Sequence, residues 1–244
     1  MKNKQLLSSK DIPCNERLIF ALDVSSTNKA KELVNQLGDS VIFYKIGLQL
    51  FMAGEYFELV QWLIEKRKKV FVDLKFFDVP QTVGSAVQQL TKYGVSFATV
   101  HGNDAILRAA VKEKNGLKIL AVTVLTSLDQ ADMEDLGFKV DIRDVVLSRA
   151  KRALKIGCDG VISSGLEASG IRNGVGERFI IVTPGIRPVK NTDDQKRTVD
   201  VEEAFYNGAD YIVVGRPIRE PKDFDTSREA ADSIQARIRA IFEG

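Results

Sequence analysis

Short apolar, β-branched runs recur along this chain, each followed by a stretch with helical periodicity, and no other feature restricts the available folds as tightly. The runs are Arg17–Asp23, Val41–Ile46, Lys69–Lys75, Phe97–His101, Lys118–Val124, Gly160–Ser164, Phe179–Thr183 and Tyr211–Gly215. Helical periodicity occupies Thr27–Leu37, Tyr56–Lys66, Thr82–Tyr93, Asp104–Lys114, Asp141–Ile156 and a C-terminal stretch from about Ser227 to Phe242. Strands that alternate with helices pair in parallel, because each helix carries the chain back to start the next strand alongside the last. Eight strands in 244 residues predict an α/β fold of the (β/α)8 barrel kind, which typically needs about 250 residues. A doubly wound open sheet is the alternative, but no Gly-rich turn follows the first strand. No low-complexity segment or Pro/Ser linker interrupts the chain, so residues 1–244 read as a single barrel domain.

Composition narrows the partners. Lys and Arg number 35 against 33 Asp and Glu, a net charge of +2 that sets up no field for capturing a polyanion, so nucleic acid is not expected. Cys14 and Cys158 match no zinc-ligand spacing, and a single histidine leaves little from which to build a metal site. Met1 to Arg17 lacks the apolar core of a signal peptide, and no apolar run is long enough to cross a membrane. These features predict a soluble cytoplasmic protein without a membrane partner. The basic cluster Lys66 to Lys69 reads as a solvated helix end, favoured there by the helix dipole. The irregular stretch Pro184–Thr198 reads as a mobile functional loop.

Side chains alternate across a strand, so choosing one face fixes the other. Ile19, Ala21 and Asp23 share a face in the first strand; Val41, Phe43 and Lys45 in the second; Phe71, Asp73 and Lys75 in the third. The opposite faces, such as Leu18, Phe20 and Leu22, are apolar, as a surface packed under helices must be. Each inner set ends in charge at the C-terminal end of its strand. With strands about 4.8 Å apart, Asp23, Lys45, Asp73 and Lys75 should converge at the barrel mouth, where barrels place their chemistry. A compensated salt-bridge network is the plain alternative, but burying charge is costly enough that four such residues together point to function. Asp78, in the loop after Lys75, adds a further carboxylate, and a lysine flanked by Asp73 and Asp78 is held protonated. Such an ammonium suits proton donation and stabilisation of a carbanion better than imine formation.

The loops after strands seven and eight carry Thr183-Pro184-Gly185-Ile186-Arg187-Pro188 and Val214-Gly215-Arg216-Pro217-Ile218. In many barrels these two loops bind a phosphate. Gly215 permits close backbone approach to an anion, Arg216 offers a bidentate fork, and Pro217 can open a short helical turn. Arg187 in the long loop can join them, and Gln195 is an uncharged candidate for a contact made when that loop closes.

The segment Asp73-Leu74-Lys75-Phe76-Phe77-Asp78-Val79-Pro80-Gln81-Thr82-Val83 resembles the Asp-x-Lys-x-x-Asp-[Ile/Val]-Pro-x-Thr signature of the orotidine 5′-phosphate decarboxylase family. Ala21-Leu22-Asp23, Tyr44-Lys45-Ile46-Gly47, Thr123-Val124-Leu125-Thr126-Ser127 and the two phosphate loops are similar to that family in the same order, so the resemblance runs from about Arg17 to Ile218. It implies a barrel of the ribulose-phosphate-binding type that converts orotidine 5′-phosphate to uridine 5′-phosphate and CO2 in pyrimidine synthesis, with no metal and no organic cofactor. It also implies roles. Asp73 would sit by the substrate carboxylate, and Lys75 would stabilise the C6 carbanion and then protonate it. Asp73 would act either by stressing the ground state or by holding Lys75 in place. Asp23 and Lys45 would bind ribose hydroxyls, Thr126 the pyrimidine, and Gln195 both base and phosphate. Pro184, Arg187, Gly215 and Arg216 would line the phosphate end. The same resemblance implies a homodimer in which Asp78 and Thr82 reach the neighbouring subunit's site; the residues themselves leave open that Thr82 caps the helix beginning there.

The chain departs from the usual family pattern at Phe77, where many relatives carry His, and at the turn His101-Gly102-Asn103-Asp104. His101 is expected in a hydrogen-bonded structural role. Two rival readings remain. A metal-dependent sugar-phosphate decarboxylase or hexulose-phosphate synthase would share Asp-x-Lys-x-x-Asp but place an acid where Lys45 stands. A non-catalytic phosphate-binding barrel would keep Arg216 and lose the charged cluster.

Overall fold

The computed structural model describes residues 6–186 and 199–243. The chain runs through β1 (Leu18–Ala21), α1 (Thr27–Leu37), β2 (Phe43–Gly47), α2 (Leu48–Met52), α3 (Tyr56–Glu65), β3 (Lys69–Phe76) and α4 (Pro80–Leu90). It continues through β4 (Phe97–Val100), α5 (Asp104–Glu113), β5 (Lys118–Val122), α6 (Gln130–Asp135), α7 (Ile142–Ile156), β6 (Gly160–Ile162) and α8 (Ala168–Val175). The last elements are β7 (Ile180–Thr183), α9 (Val201–Tyr206), β8 (Tyr211–Val214), α10 (Arg216–Arg219) and α11 (Ser227–Phe242). The strands close in chain order into a barrel, β8 pairing with β1, and every pairing is parallel. This is the (β/α)8 architecture that the alternation predicts, and each strand falls on one of the expected runs. The short helices α2, α6, α8 and α9 leave no periodic signal in the sequence, because five to eight residues carry too few turns to show a period.

Local chemistry explains the helix ends. The Ser26 hydroxyl accepts from the Lys29 N–H to start α1, and Pro80 occupies the first turn of α4. Thr226 and Glu229 form a reciprocal capping box on α11. The helix of residues 80–90 therefore begins before Thr82, which lies inside its first turn and does not cap it.

Two apolar layers result. Leu18, Phe20, Leu22, Tyr44, Ile46 and Val72 face outward under the helices, whereas Ile19, Ala21, Phe43, Phe71, Phe97 and Tyr211 fill the interior. Val41 departs from the expected alternation. Pairing of β2 begins only at Phe43, and Val41 joins the outer layer. The lower interior is aromatic: Phe43, Phe97 and Tyr211 pack with ring centroids 5.1–5.9 Å apart. Gly160 is where β6 and β7 come close, since a Cβ there would lie 2.4 Å from the Ile180 carbonyl oxygen.

The basic cluster is not simply solvated. Lys68 is buried and donates to the carbonyls of Gly38 (2.6 Å) and Val41 (3.1 Å). At the N-terminal end of the barrel, the N-terminal segment is held by Asp210. Its carboxylate, fully buried, accepts from Ser8 Oγ, Lys10 Nζ (2.9 Å), Arg172 Nη2 (2.8 Å) and the Ile181 N–H (2.8 Å).

Candidate active site

Parallel register builds the site. Ala21 pairs with Lys45 and Gly47 with Asp73, so the ends of β1, β2 and β3 lie at one level above the aromatic floor. Asp23 lies two residues beyond the end of β1. Lys45 Nζ is 3.1 Å from Asp23 Oδ1 and 3.5 Å from Asp73 Oδ2, and Lys75 Nζ is 3.0 Å from both oxygens of Asp73. The order Asp23, Lys45, Asp73, Lys75 is thus an alternating row of charge. Burial on its own works against the Lys45 ammonium, but Asp73 and then Asp23 outweigh it and raise its pKa. Burial likewise opposes the Asp73 carboxylate, yet Lys45, Lys75 and hydrogen bonds from Lys75 and Thr99 hold it below the usual carboxylate range. Gly47 borders this cluster: a Cβ there would stand in ordinary contact with it, 3.4 Å from Lys45 Nζ and 3.5 Å from the Asp73 carbonyl oxygen.

Simple alternation does not place Lys75. Val72 pairs with Ala98 and Phe76 with Val100, so three residues of β3 oppose Thr99 alone in a bulge. Lys75 sits there with φ +48°, a left-handed conformation that costs roughly 1–2 kcal/mol for a side-chain-bearing residue. Its N–H donates to Thr99 Oγ1 (3.0 Å), whose hydroxyl donates in turn to Asp73 Oδ1 (2.8 Å).

The row opens into a cavity of about 640 Å³, large enough for a nucleotide-sized ligand. Ala21, Phe71, Val122, Ile162 and Val213 form apolar walls. Across from the lysines lie Thr126, Pro184, Gly185, Gly215 and Arg216. Gly215 caps α10, which Arg216 and Pro217 open as the expected short turn. The structure therefore brings together Asp23, Lys45, Asp73, Lys75, Thr126, Pro184, Gly215 and Arg216.

Other expected residues stand elsewhere. Asp78 and Thr82 are exposed and lie outside the cavity wall. Asp78 accepts from the Val79 N–H (2.6 Å) and makes no ion pair with Lys75, whose acidic partner among the described residues is Asp73 alone. Arg187 and Gln195 lie outside the described residues, as does most of the expected Pro184–Thr198 loop. Against expectation, the His101 ring makes no hydrogen bond among the described residues; only its backbone N–H does, to the Phe76 carbonyl (3.0 Å). Its Nδ1 is buried, its ring meets Phe77 edge-on at 5.1 Å, and burial, aided by Arg149 and Lys75, depresses its pKa. Three further polar residues line the cavity among those described: Gln49, Ser127 and Arg219. Arg219 follows Arg216 by three positions, the helical spacing that places both on one face, and donates to the Asp23 carbonyl (2.5 Å). Ser127 directly follows Thr126; nothing in the sequence distinguishes Gln49. Among the described residues, no group of three or more His, Cys, Asp or Glu is placed to hold a metal ion.

An apolar-walled cavity with alternating charge on one side and an arginine at the other can hold an anionic ligand and stabilise negative charge that develops near Lys75. Relatives match nearly the whole chain. A curated protein of Methylococcus capsulatus named orotidine 5′-phosphate decarboxylase is 61% identical over 238 residues, 97% of each chain. One of the same name from Xanthomonas axonopodis pv. citri is 51% identical over 94% of each. The crystal structure of orotidine 5′-phosphate decarboxylase from Lactobacillus acidophilus superposes with a TM-score of 0.80 at 31% identity, over 91% of this chain and 99% of that one. A family model matches residues 16–231. On that match and those identities, this chain belongs to the orotidine 5′-phosphate decarboxylase / HUMPS family.

Proposed function

We propose that this chain decarboxylates orotidine 5′-phosphate to uridine 5′-phosphate and CO2 in pyrimidine nucleotide synthesis. The alternating row Asp23, Lys45, Asp73, Lys75 at one wall of the cavity is the observation that carries the reading, with the full-length identity to decarboxylases of that name beside it. The bond from C6 to the carboxylate breaks, its electron pair stays on C6, and CO2 leaves. Lys75 stabilises that pair and transfers an Nζ proton to C6; solvent then reprotonates the amine. Asp73 holds Lys75 in place through its two 3.0 Å contacts and stands beside the departing carboxylate. Asp23 and Lys45 bind the ribose hydroxyls, Thr126 the base, and Pro184, Gly215 and Arg216 the phosphate, joined there by Arg187, while Gln195 bridges base and phosphate. Phosphate affinity remote from C6 is then spent on closing the site around the reacting carbon.

The barrel acts as one domain, in the cytoplasm, and as a homodimer in which Asp78 and Thr82 complete the neighbouring subunit's site. Supporting the dimer, Asp78 lies between Phe77 and Val79, which are 67% and 61% exposed, and Leu48 and Met52 are also open on the loop side of β2. Consistent with the localisation, no described helix is long and apolar enough to cross a membrane.

The metal-dependent reading is disfavoured by Lys45, whose ammonium lies between the two carboxylates that a divalent ion would need. An ultraviolet assay of purified protein on orotidine 5′-phosphate, with chelator present, tests the proposal. Turnover supports it; turnover restored only by added Mg2+ favours the metal-dependent rival, and phosphate binding without turnover the non-catalytic one.

A further inference from the structure

We infer that Thr99 is a positioning residue for the reaction proposed above, holding Asp73 and Lys75 in register through its side-chain hydroxyl. Thr99 is fully buried on β4, inward-facing like Phe97 two residues before it, and does not line the cavity. It acts through other groups.

Three observations converge on this hydroxyl. First, Thr99 alone faces Asp73, Leu74 and Lys75 across the bulge, where the ladder of β3 and β4 is interrupted. Second, the Lys75 N–H, which the bulge takes out of the ladder, donates to Thr99 Oγ1 at 3.0 Å. Third, the same hydroxyl donates to Asp73 Oδ1 at 2.8 Å, the oxygen that also accepts from Lys75 Nζ. One hydroxyl therefore satisfies the backbone of the lysine and orients the carboxylate that grips its ammonium. A buried N–H left without a partner is strongly disfavoured, so the hydroxyl helps keep Lys75 at φ +48°. Valine has the shape of threonine but neither function. Serine has both functions without the methyl group. Because the effect passes through Asp73, the groups facing that carboxylate are Lys45, Lys75 and, beyond Lys45, Asp23.

The test compares Thr99→Val and Thr99→Ser with wild type in kcat, KM, calorimetric affinity for uridine 5′-phosphate, and titration of the Asp73 carboxyl by 13C NMR. Thr99→Val should lower kcat by about 10- to 100-fold, the loss expected for one hydrogen bond to a charged group. Affinity for uridine 5′-phosphate should hold within about twofold, because the residue lies outside the cavity wall. Asp73 should titrate at higher pH in Thr99→Val, and Thr99→Ser should recover most of the rate. Should Thr99→Val not fold, Thr99→Cys, a weak hydrogen bonder, replaces it with the same expectation. A Thr99→Val enzyme with wild-type kcat, or a Thr99→Ser enzyme as slow as Thr99→Val, overturns the inference. Wild-type protein inert on orotidine 5′-phosphate overturns the functional reading instead, and the Asp73 titration still decides whether Thr99 holds that carboxylate.

Discussion

Asn at position 210 would put an amide where every neighbour is a donor. Asp210 Oδ1 accepts from Ser8 Oγ and Lys10 Nζ, and Oδ2 from Arg172 Nη2 and the Ile181 N–H. Whichever way the amide is turned, its NH2 meets donors and loses at least two acceptor contacts. The larger effect is electrostatic. Arg172 is 2% exposed, and although its guanidinium also donates to the carbonyls of Gly176, Phe179 and Gly208, Asp210 is its one carboxylate among the described residues. Removing one partner of such a buried pair costs about 3–5 kcal/mol. In a chain of this size each kcal/mol lowers the midpoint by about 2–4 °C, so Asp210→Asn should melt on the order of 6–20 °C below wild type by circular dichroism. Asp210 precedes β8, at the end of the barrel opposite the mouth, so kcat at 25 °C should be unchanged. A midpoint within about 2 °C of wild type would refute the assignment of a strong buried pair.

Other outcomes follow from the site. Lys75→Ala should abolish turnover while uridine 5′-phosphate still binds; a modest loss of rate in a spectrophotometric assay contradicts the proton-donor role. Mixing Asp78→Asn with Lys75→Ala subunits should regenerate one complete site per heterodimer, and no recovery after verified subunit exchange argues against shared sites. Asp73 titrates below its unfolded value, so the stability it contributes is present above about pH 4 and is lost as pH falls through its folded pKa. The difference in urea unfolding free energy between wild type and Asp73→Asn should therefore shrink on acidification below pH 4; a flat difference sinks the argument. Lys45 has the opposite sign: raised above its ordinary value, it contributes stability below about pH 10 that fades as pH rises through its folded pKa.

What the sequence determined by itself was the part governed by local periodicity. Eight β-branched runs and their intervening helices set the barrel, and period two along β1 to β3 placed Asp23, Lys45 and Asp73 at its mouth. The phosphate end was legible for the same reason, since Gly215, Arg216 and Pro217 adjoin the end of β8. Where a residue's position depends on two strands at once, the chain gave no sign. The bulge opposite Thr99 arises from pairing of β3 with β4, and it turns Lys75 through a backbone conformation that alternation does not contain. Long-range packing also decided that Asp78 is exposed and not paired with Lys75, that Lys68 is buried against two carbonyls, and that Asp210 clasps the N-terminal segment. Arg219 joined the cavity because helix α10 carries it there. Periodicity reports which face a side chain takes. Which partner it meets is set by the closure of the sheet, which brings together residues as far apart as Ser8 and Asp210.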